Sequence, residues 1–216
     1  MEIRIELAGV NLGAIEADGV SVAPASENLA RLMDEVRDRK CREFTVETLP
    51  EAEPIRAVRA MFLAWGIDPS KYRPSSEALL RRVVQGKGLY RVSNLVDIGN
   101  LGSIETGWPY GCYDRAKIRP PIGLRLGAAG ESYEGIGKRV WHLAGRPVLV
   151  DAGGPFSSPI SDSTRTMITE NVRDVLAVIY APANAPDTGI EAALTCLGER
   201  LAQFAGAMAT RSAIWR

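Results

Sequence analysis

The chain has 216 residues, with 26 basic and 26 acidic side chains and a formal net charge of zero. This balance argues against a protein that binds nucleic acid through its overall charge, although a local basic patch is compatible with it. Three cysteines far apart in the sequence indicate neither a disulfide framework nor a CxxC zinc site. The start, MEIRIELAGV, lacks the features of a signal peptide. No apolar run reaches the roughly 18 residues of a membrane span, so we expect a cytoplasmic protein with no membrane partner.

The first 70 residues predict an N-terminal portion that mixes strands and helices. Charged and apolar residues alternate over 2–7, which indicates a half-buried strand, and a short second strand is expected at 19–22. Helical spacing of apolar residues predicts helices at 27–39 and 55–65, with a strand at 44–46 between them. We expect this portion, 1–70, to belong to the same unit as the rest of the chain.

Residues 71–216 predict a core followed by a C-terminal helix. Two helices begin at polar caps, one at residue 75 or 76 and one running from 93 or 94 to 106. Three strands are expected at 122–126, 148–150 and 175–180, a short helix at 170–174, and a final helix at 187–208. Because helices and strands intermix without regular alternation, the α+β class is favoured, with a mixed β-sheet core, flanking helices and one compact domain.

Motifs of cofactor and nucleophile chemistry do not occur in the sequence. His142 is the sole histidine, and a hydrolase triad also needs a nucleophile beside its base, so a surface or structural role suits it better. No GxSxG elbow, GxxxxGK[ST] loop or metal-ligand spacing is found, and Gly135-Ile-Gly indicates a turn. We therefore expect no cofactor and no metal, and the residues alone identify no catalytic group.

Two polar clusters are candidates for a binding site. Helical spacing spreads Asn94, Asp97 and Asn100 over one side of a helix, where the two asparagine amides can orient a small polar ligand. Capping of the helix start is the alternative for the first two. The second cluster is the run SDSTRTMITE at 161–170, in which Asp162 can pair with Arg165. That run suits an amino acid or a ribose, and it equally suits a loop bonded to itself.

Basic residues are concentrated between residues 71 and 91. Six cations stand there against a single acid, Glu77, which suits contact with phosphate. A solvated helix face is the alternative for Arg81 and Arg82. The side chains from which we expect RNA contact are Arg73, Arg81, Arg82, Lys87 and Arg91.

An ordered series of motifs gives the chain a family resemblance. The series comprises RPSSEALLRRV at 73–83, SNLVDIGN at 93–100, GWPYGCYD at 107–114, and later IGLRL, GIG and DSTRT segments. Together these motifs resemble the B3/B4 domain of the bacterial phenylalanyl-tRNA synthetase β subunit, and in particular its free-standing B3/4 relatives. The ordered match covers about residues 73–180.

The resemblance implies a mixed α+β fold and a cleft that receives an aminoacylated tRNA end. In the synthetase this module removes tyrosine wrongly esterified to the phenylalanine tRNA. Asn100 matches an asparagine of that editing pocket, whereas Gly99, Gly111 and Val178 fall where the family has threonine, histidine and, nearby, glutamate. The polar set that this chain keeps for substrate binding is Asn94, Asp97, Asn100, Asp114, Asp162, Ser163, Arg165 and Thr166.

Three functional hypotheses follow. The first is a trans-acting hydrolase of aminoacyl-tRNA or another aminoacyl ester, working mainly through positioned water. The second is a non-catalytic module that binds an amino acid, a small metabolite or an RNA end. The third is a partner-protein surface on the C-terminal helix around Leu194, Leu201 and Phe204, for which core packing is the alternative. The sequence does not fix the oligomeric state.

Overall fold

The computed structural model describes residues 2–216, which form an α+β fold. Its α-helices are α1 (Glu27–Glu43), α2 (Glu53–Ala64), α3 (Ser75–Arg82), α4 (Asn94–Thr106) and α5 (Asp187–Ala205). Its strands are β1 (Ile3–Ile5), β2 (Val10–Asp18), β3 (Tyr110–Asp114), β4 (Ile122–Leu126), β5 (Ser132–Glu134), β6 (Val140–His142), β7 (Pro147–Asp151), β8 (Gly154–Ser157), β9 (Asp174–Pro182) and β10 (Ala209–Trp215). The predicted class, α+β with helices around mixed sheets, is confirmed.

Two four-stranded sheets and a hairpin organise these strands. The central sheet has the order β10-β2-β9-β3 and is antiparallel throughout. The second sheet has the order β1-β4-β7-β8, and its β1–β4 pair is parallel, which makes it mixed. Strands β5 and β6 form the hairpin.

The central sheet carries apolar side chains on both faces. One face packs against α1, α4 and α5, through residues such as Ile15 and Ile179. The other face packs against the second sheet and α2, through residues such as Leu12 and Val178. A sheet covered on both sides needs continuous apolar strands, as in β9, rather than alternating ones.

Two strand predictions in the N-terminal portion are wrong. The second strand is β2 at Val10–Asp18, and 19–22 lies beyond its end. Burial of β2 on both faces removes the alternation that marks a half-buried strand. The segment at 44–46 is no strand either, because Phe44 is the C-cap of α1 and its backbone N–H donates a hydrogen bond to the Lys40 carbonyl. Strand β1 pairs with β4, and β2 with β9, while a division near residue 70 stays a prediction.

The C-terminal portion departs from expectation at two places. The short helix predicted at 170–174 is a turn, with the Val172 N–H bonded to the Thr169 carbonyl, and β9 follows directly. The final helix ends at Ala205 because Gly206 adopts a left-handed φ of 71°. The chain then forms β10, an edge strand whose mostly exposed side chains gave no sign of it.

The C-terminal helix α5 turns its apolar side chains inward. Leu194 and Leu201 are buried in the core, and Phe204 packs against it. The core-packing alternative is thus confirmed for these residues, and the protein-binding surface hypothesised around them is part of the interior. Within residues 2–216, no helix combines the length and apolarity needed to cross a bilayer.

Asn94 joins three parts of the fold, and its loss should destabilise them. Its side-chain oxygen accepts hydrogen bonds from the N–H groups of Ala23 and Leu95, and its nitrogen donates to the carbonyls of Ser21 and Phe204. We expect Asn94→Ala to lower the free energy of unfolding by about 3 kcal/mol, because buried backbone groups lose their partners.

Urea unfolding of this variant beside Asn100→Ala tests that expectation. Asn100 lies on the same helix, and its side chain makes no hydrogen bond within the described residues. Its replacement by alanine should therefore change the free energy of unfolding by less than about 0.5 kcal/mol. Equal losses in the two variants would contradict the structural assignment of Asn94.

Candidate functional site

A cleft of about 580 Å³ lies between α3, α4 and the loop that follows β8. Its walls include four basic side chains, several hydroxyl and amide groups, and one acid. The polar and aromatic lining residues are Arg73, Ser75, Arg81, Arg82, Gln85, Lys87, Tyr90, Asn100, Tyr110, Ser158, Ser161 and Asp162. Four of the five residues expected to contact RNA thus meet in one cavity, together with two of the expected substrate-binding residues.

The basic wall comes from α3 and the turn behind it. After Arg82 the backbone widens into a π-type turn at Val83–Lys87, and Gly86 takes a φ of 75° that side-chain-bearing residues rarely adopt. This reversal of the chain places Lys87 and Tyr90 in the wall of the cleft that the end of α3 also lines. The guanidinium of Arg82 lies over the Tyr90 ring, 4.0 Å from its centroid. A basic side chain and an aromatic ring therefore lie together in this wall of the cleft.

Most of the positive charge on this wall is not neutralised. Buried Glu77 accepts from Arg59 at 2.9 and 3.1 Å and lies 3.5 Å from Arg73. Within residues 2–216, Arg81, Arg82 and Lys87 have no carboxylate within ion-pair distance, 4.0 Å. Arg82 and Lys87 therefore offer their charge to an anionic ligand, whereas Arg81 also donates to the Val46 carbonyl, at 3.5 Å, and acts electrostatically on Glu47.

A smaller cavity of about 280 Å³, the inner compartment, adjoins the cleft. The two cavities share Asn100, Tyr110, Ile136 and Asp162 in their walls. The rest of the compartment is mainly apolar, with walls formed by Val92, Val96, Gly99, Cys112, Met167 and Ile168. A ligand can therefore extend from a cationic mouth into an apolar interior.

Asp162 stands where the two cavities meet, and it is the one acid in the described lining of either. Its Oδ1 accepts a hydrogen bond of 2.7 Å from Ser157 Oγ. Because the single Ser157 proton is used there, the Tyr113 hydroxyl donates to Ser157 Oγ, at 2.6 Å. Burial raises the pKa of Asp162 to about 6, against the opposing effects of the hydrogen bond from Ser157 and of the nearby Tyr113 hydroxyl. At neutral pH this carboxyl is ionised and supported from behind by hydroxyl groups.

Asn100, on α4, lines both of the cavities that Asp162 lines. Its carboxamide makes no hydrogen bond to any residue that the structure describes. A free amide carries two donors and an acceptor for a ligand. Asn100 and Asp162 are thus the two predicted substrate-binding residues that the fold brings together.

Asn94 and Asp97 serve the start of α4. All of the Asn94 bonds described above are to backbone groups, and Asp97 Oδ1 accepts from the Val92 N–H at 3.0 Å. Burial raises the pKa of Asp97, opposed by its backbone hydrogen bonds. The N-cap of α4 is Ser93, whose hydroxyl accepts from the Val96 N–H, while Asn94 and Asp97 bond to backbone groups around the helix start and neither lines the cleft.

The other four predicted substrate-binding residues are engaged away from the cleft. Asp114 caps a short turn through the Ala116 N–H, and Ser163 likewise accepts from the Arg165 N–H. The pairing suggested between Asp162 and Arg165 is wrong, because Arg165 donates to both oxygens of Asp151, at 2.9 and 3.1 Å.

The fourth of these residues, Thr166, and the remaining expected RNA contact, Arg91, are also held by contacts within the fold. Thr166 is fully buried and donates weakly to the Phe156 carbonyl, at 3.5 Å. Arg91, the remaining expected RNA contact, reaches instead to Asp34 and to the Ala30 carbonyl on α1.

A family model described as the B3/4 domain matches residues 57–194, a span that includes α3, α4, the cleft and its inner compartment. The chain belongs to the B3/4 domain family. The part of this B3/4 chain that the structure describes holds no group of three or more His, Cys, Asp or Glu side chains arranged for a metal.

Relatives of this B3/4 chain are much longer proteins. It is 32% identical over 113 residues to the phenylalanine–tRNA ligase β subunit of Thermobifida fusca, which covers 51% of this chain and 13% of that one. It is 30% identical over 125 residues to the same subunit of Brucella abortus, covering 56% and 15%. An N-terminal fragment of the phenylalanyl-tRNA synthetase β subunit from Pyrococcus horikoshii superposes with a TM-score of 0.45 at 15% identity, over 99% of this chain and 50% of that one. The B3/4 chain thus spans a small fraction of the ligase subunits it matches.

Two glycines of this B3/4 chain stand where the resemblance led us to look for polar side chains. A Cβ atom on Gly111 would lie 1.6 Å from the Tyr113 hydroxyl oxygen, so that phenol fills the space of a residue-111 side chain. A Cβ atom on Gly99 would lie 2.8 Å from Cys112 Sγ. Neighbouring side chains of β3 occupy both places.

Sequence reasoning missed several groups of the B3/4 cleft. Ser158 and Ser161 flank a tight turn after β8, and the Tyr133 hydroxyl is bonded to both residues. Tyr110 forms part of the wall of both cavities. The serines beside Pro159 were a visible turn signal, but no local pattern shows that this turn faces α3.

Proposed function

We propose that this B3/4 domain is a trans-acting deacylase that hydrolyses aminoacyl esters at a tRNA end. One observation carries the proposal: a cationic wall, a single acid and an apolar compartment lie together in two adjoining cavities that share part of their walls. The activity of the whole ligase subunits is not transferred by similarity, because the chain matches only a small part of them.

The order of charges in the cleft is complementary to an aminoacylated nucleotide. Such a ligand presents phosphate, then a ribose ester, then an α-ammonium group, then the amino-acid side chain. Arg81, Arg82 and Lys87 suit the phosphates, and the Asp162 carboxylate suits the ammonium group. The apolar compartment remains for the side chain.

The proposed reaction is attack by a positioned water on the ester carbonyl. The water oxygen bonds to the carbonyl carbon, the bond from that carbon to the ribose oxygen breaks, and the water proton passes to the departing ribose oxygen. The Asn100 amide is the free donor at this point of the cleft and is assigned to the developing oxyanion. Fixing the ammonium on Asp162 holds the ester in a single orientation toward the water.

Deacylation of a panel of correctly and wrongly charged tRNAs tests the proposal. We expect at least one aminoacyl-tRNA to lose its amino acid faster with the purified chain than in buffer. Asn100→Ala should slow this reaction about 100-fold, as expected for loss of an oxyanion donor, without lowering stability. The absence of acceleration on every member of the panel would contradict the proposed activity.

A non-catalytic binding module is the second candidate. It is favoured by the filling of the Gly111 position by Tyr113, which leaves glycine where the family resemblance puts a histidine. A thermal-shift screen with amino acids, nucleotides and aminoacyl-nucleotide amides discriminates the two functions. A ligand that raises the melting temperature, without turnover of any ester, favours binding alone.

A further inference from the structure

We infer that the inner compartment accepts branched aliphatic side chains, such as those of valine, isoleucine and leucine, and rejects tyrosine. This inference rests on the proposed function, because it names the aminoacyl group that enters the same cleft. It departs from the tyrosine substrate that the family resemblance implies.

The chemistry of the compartment wall supports an apolar occupant. Val96, Met167 and Ile168 present only carbon and thioether surface. Cys112 contributes a half-buried thiol, which is a weak hydrogen-bond donor. A phenol hydroxyl or an ammonium group placed among these residues would leave its water partners without receiving new ones.

Polar groups at the compartment entrance are already assigned. Asp162 and Asn100 lie where it joins the cleft, in reach of the ammonium and ester groups common to all aminoacyl ligands. They therefore do not distinguish one amino acid from another. Selection falls to the inner walls.

The buried phenols nearest to β3 offer no partner to a ligand in the compartment. Tyr113 and Tyr180 are fully buried in the core on the other face of the central sheet from Cys112, and both hydroxyls lie within hydrogen-bond distance of Ser157, at 2.6 and 3.3 Å. Neither tyrosine lines the compartment. A substrate phenol would therefore gain no hydrogen bond from them, and an aliphatic side chain needs none.

Gly99 and Cys112 set the width of the compartment. Gly99 lies in its wall, and the Cβ atom of an alanine there would approach Cys112 Sγ to 2.8 Å, so one of the two groups must shift. Cys112→Ala removes that sulfur and widens the compartment. The pair therefore provides variants that change its size in opposite directions.

Binding of non-hydrolysable 3′-aminoacylamido-adenosine 5′-monophosphates, measured by calorimetry, tests the inference. We expect the valyl and isoleucyl amides to bind at least about 10-fold more tightly than the tyrosyl and lysyl amides. Equal affinities, tighter binding of the tyrosyl amide, or no binding of any amide would overturn it. Binding selectivity without turnover of the corresponding esters would contradict the proposed hydrolysis and leave the inference standing.

Size variants make the test specific to this compartment. Gly99→Ala should weaken the isoleucyl amide about 10-fold more than the alanyl amide, and Gly99→Ala with Cys112→Ala should recover most of that loss. Gly189→Ala is the control, because this glycine lies on α5 and a Cβ there meets only ordinary contacts. If Gly99→Ala does not fold, Cys112→Ala alone decides, and unchanged affinity for the larger aliphatic amides would count against the assignment.

Discussion

Asp162→Asn should cut kcat/KM for aminoacyl-tRNA deacylation about 10- to 100-fold while making the folded chain more stable at pH 8. The activity falls because a charge-assisted bond to the substrate ammonium, worth about 1.5–3 kcal/mol, becomes a neutral one. Asparagine keeps the shape of the side chain and can still accept from Ser157. Single-turnover deacylation and urea unfolding measure the two effects on the same samples.

The gain in stability follows from the sign of the pKa shift. Burial raises the pKa of Asp162 from 3.8 to about 6, so the folded chain binds this proton more tightly than the unfolded chain does. That stabilisation is fully present below pH 3.8 and is lost as the pH rises through about 6. Above that range the buried carboxylate costs on the order of 1–3 kcal/mol, which asparagine avoids. The advantage of the variant should vanish near pH 4.

The pH dependence of activity has the same origin. Because only the ionised carboxyl holds the ammonium group, deacylation by the native chain should decline as the pH falls below about 6. The deacylation rate of Asp162→Asn should not decline over this pH range.

Asp114→Asn is the matched control for these measurements. Asp114 lies in the family-like segment but outside the cleft, and asparagine also caps a turn well. Its activity should stay within about twofold of the native value. If Asp162→Asn were as active as this control, or less stable than the native chain at pH 8, the role assigned to Asp162 would be wrong.

Removing two cations of the cleft, with Arg82→Ala and Lys87→Ala together, should weaken tRNA binding and reduce its dependence on salt. Each phosphate contact contributes about 0.7–0.9 to the slope of log K against log salt, so the slope should decrease by roughly 1.5. Loss of the Arg82 guanidinium also removes its stacking on Tyr90. Filter binding at several salt concentrations measures both the affinity and the slope.

Arg4→Ala with Arg56→Ala removes the same charge from elsewhere on the surface. Both side chains are exposed, on β1 and α2, and neither lines the cleft. We expect this control to bind tRNA almost as the native chain does. Equal losses in the two double variants would mean that the tRNA responds to overall charge and that the cleft is not its site.

How far the site could be predicted differs between its two walls. The basic wall was visible in the sequence, because cations crowd one helix and its following turn with Glu77 as the single acid. Arg91 was included wrongly in that wall, since its reach to α1 depends on tertiary packing. Charge density thus predicted the surface but not each member.

The polar wall was much harder to predict. Asn94 and Ser163 have the same composition signal as a ligand-binding residue, yet their side chains cap or join backbone segments. What distinguishes Asp162 is support from Ser157 and Tyr113, and Tyr113 comes from another strand. Such convergence is set by the packing of β3 against β8, which no local pattern encodes.

The fold shows the same division between local and tertiary signals. Helices α1, α2 and α4 were predicted because their signals are local: apolar spacing in α1 and α2, and serine caps at the starts of α1 and α4. Strand β2 was misplaced because both of its faces are buried, and β10 was missed because it is an exposed edge strand. Neither environment produces the alternation by which strands are found.

A crystal structure with a 3′-valylamido-adenosine 5′-monophosphate would show directly whether the cleft holds an aminoacylated nucleotide. We predict electron density in the cleft beside α3, with the phosphate near Arg82 and Lys87 and the ammonium group on Asp162. The valyl side chain should lie in the compartment beside Val96 and Ile168. Density for the ligand at another surface, or in the reverse orientation with the phosphate at Asp162, would contradict the account.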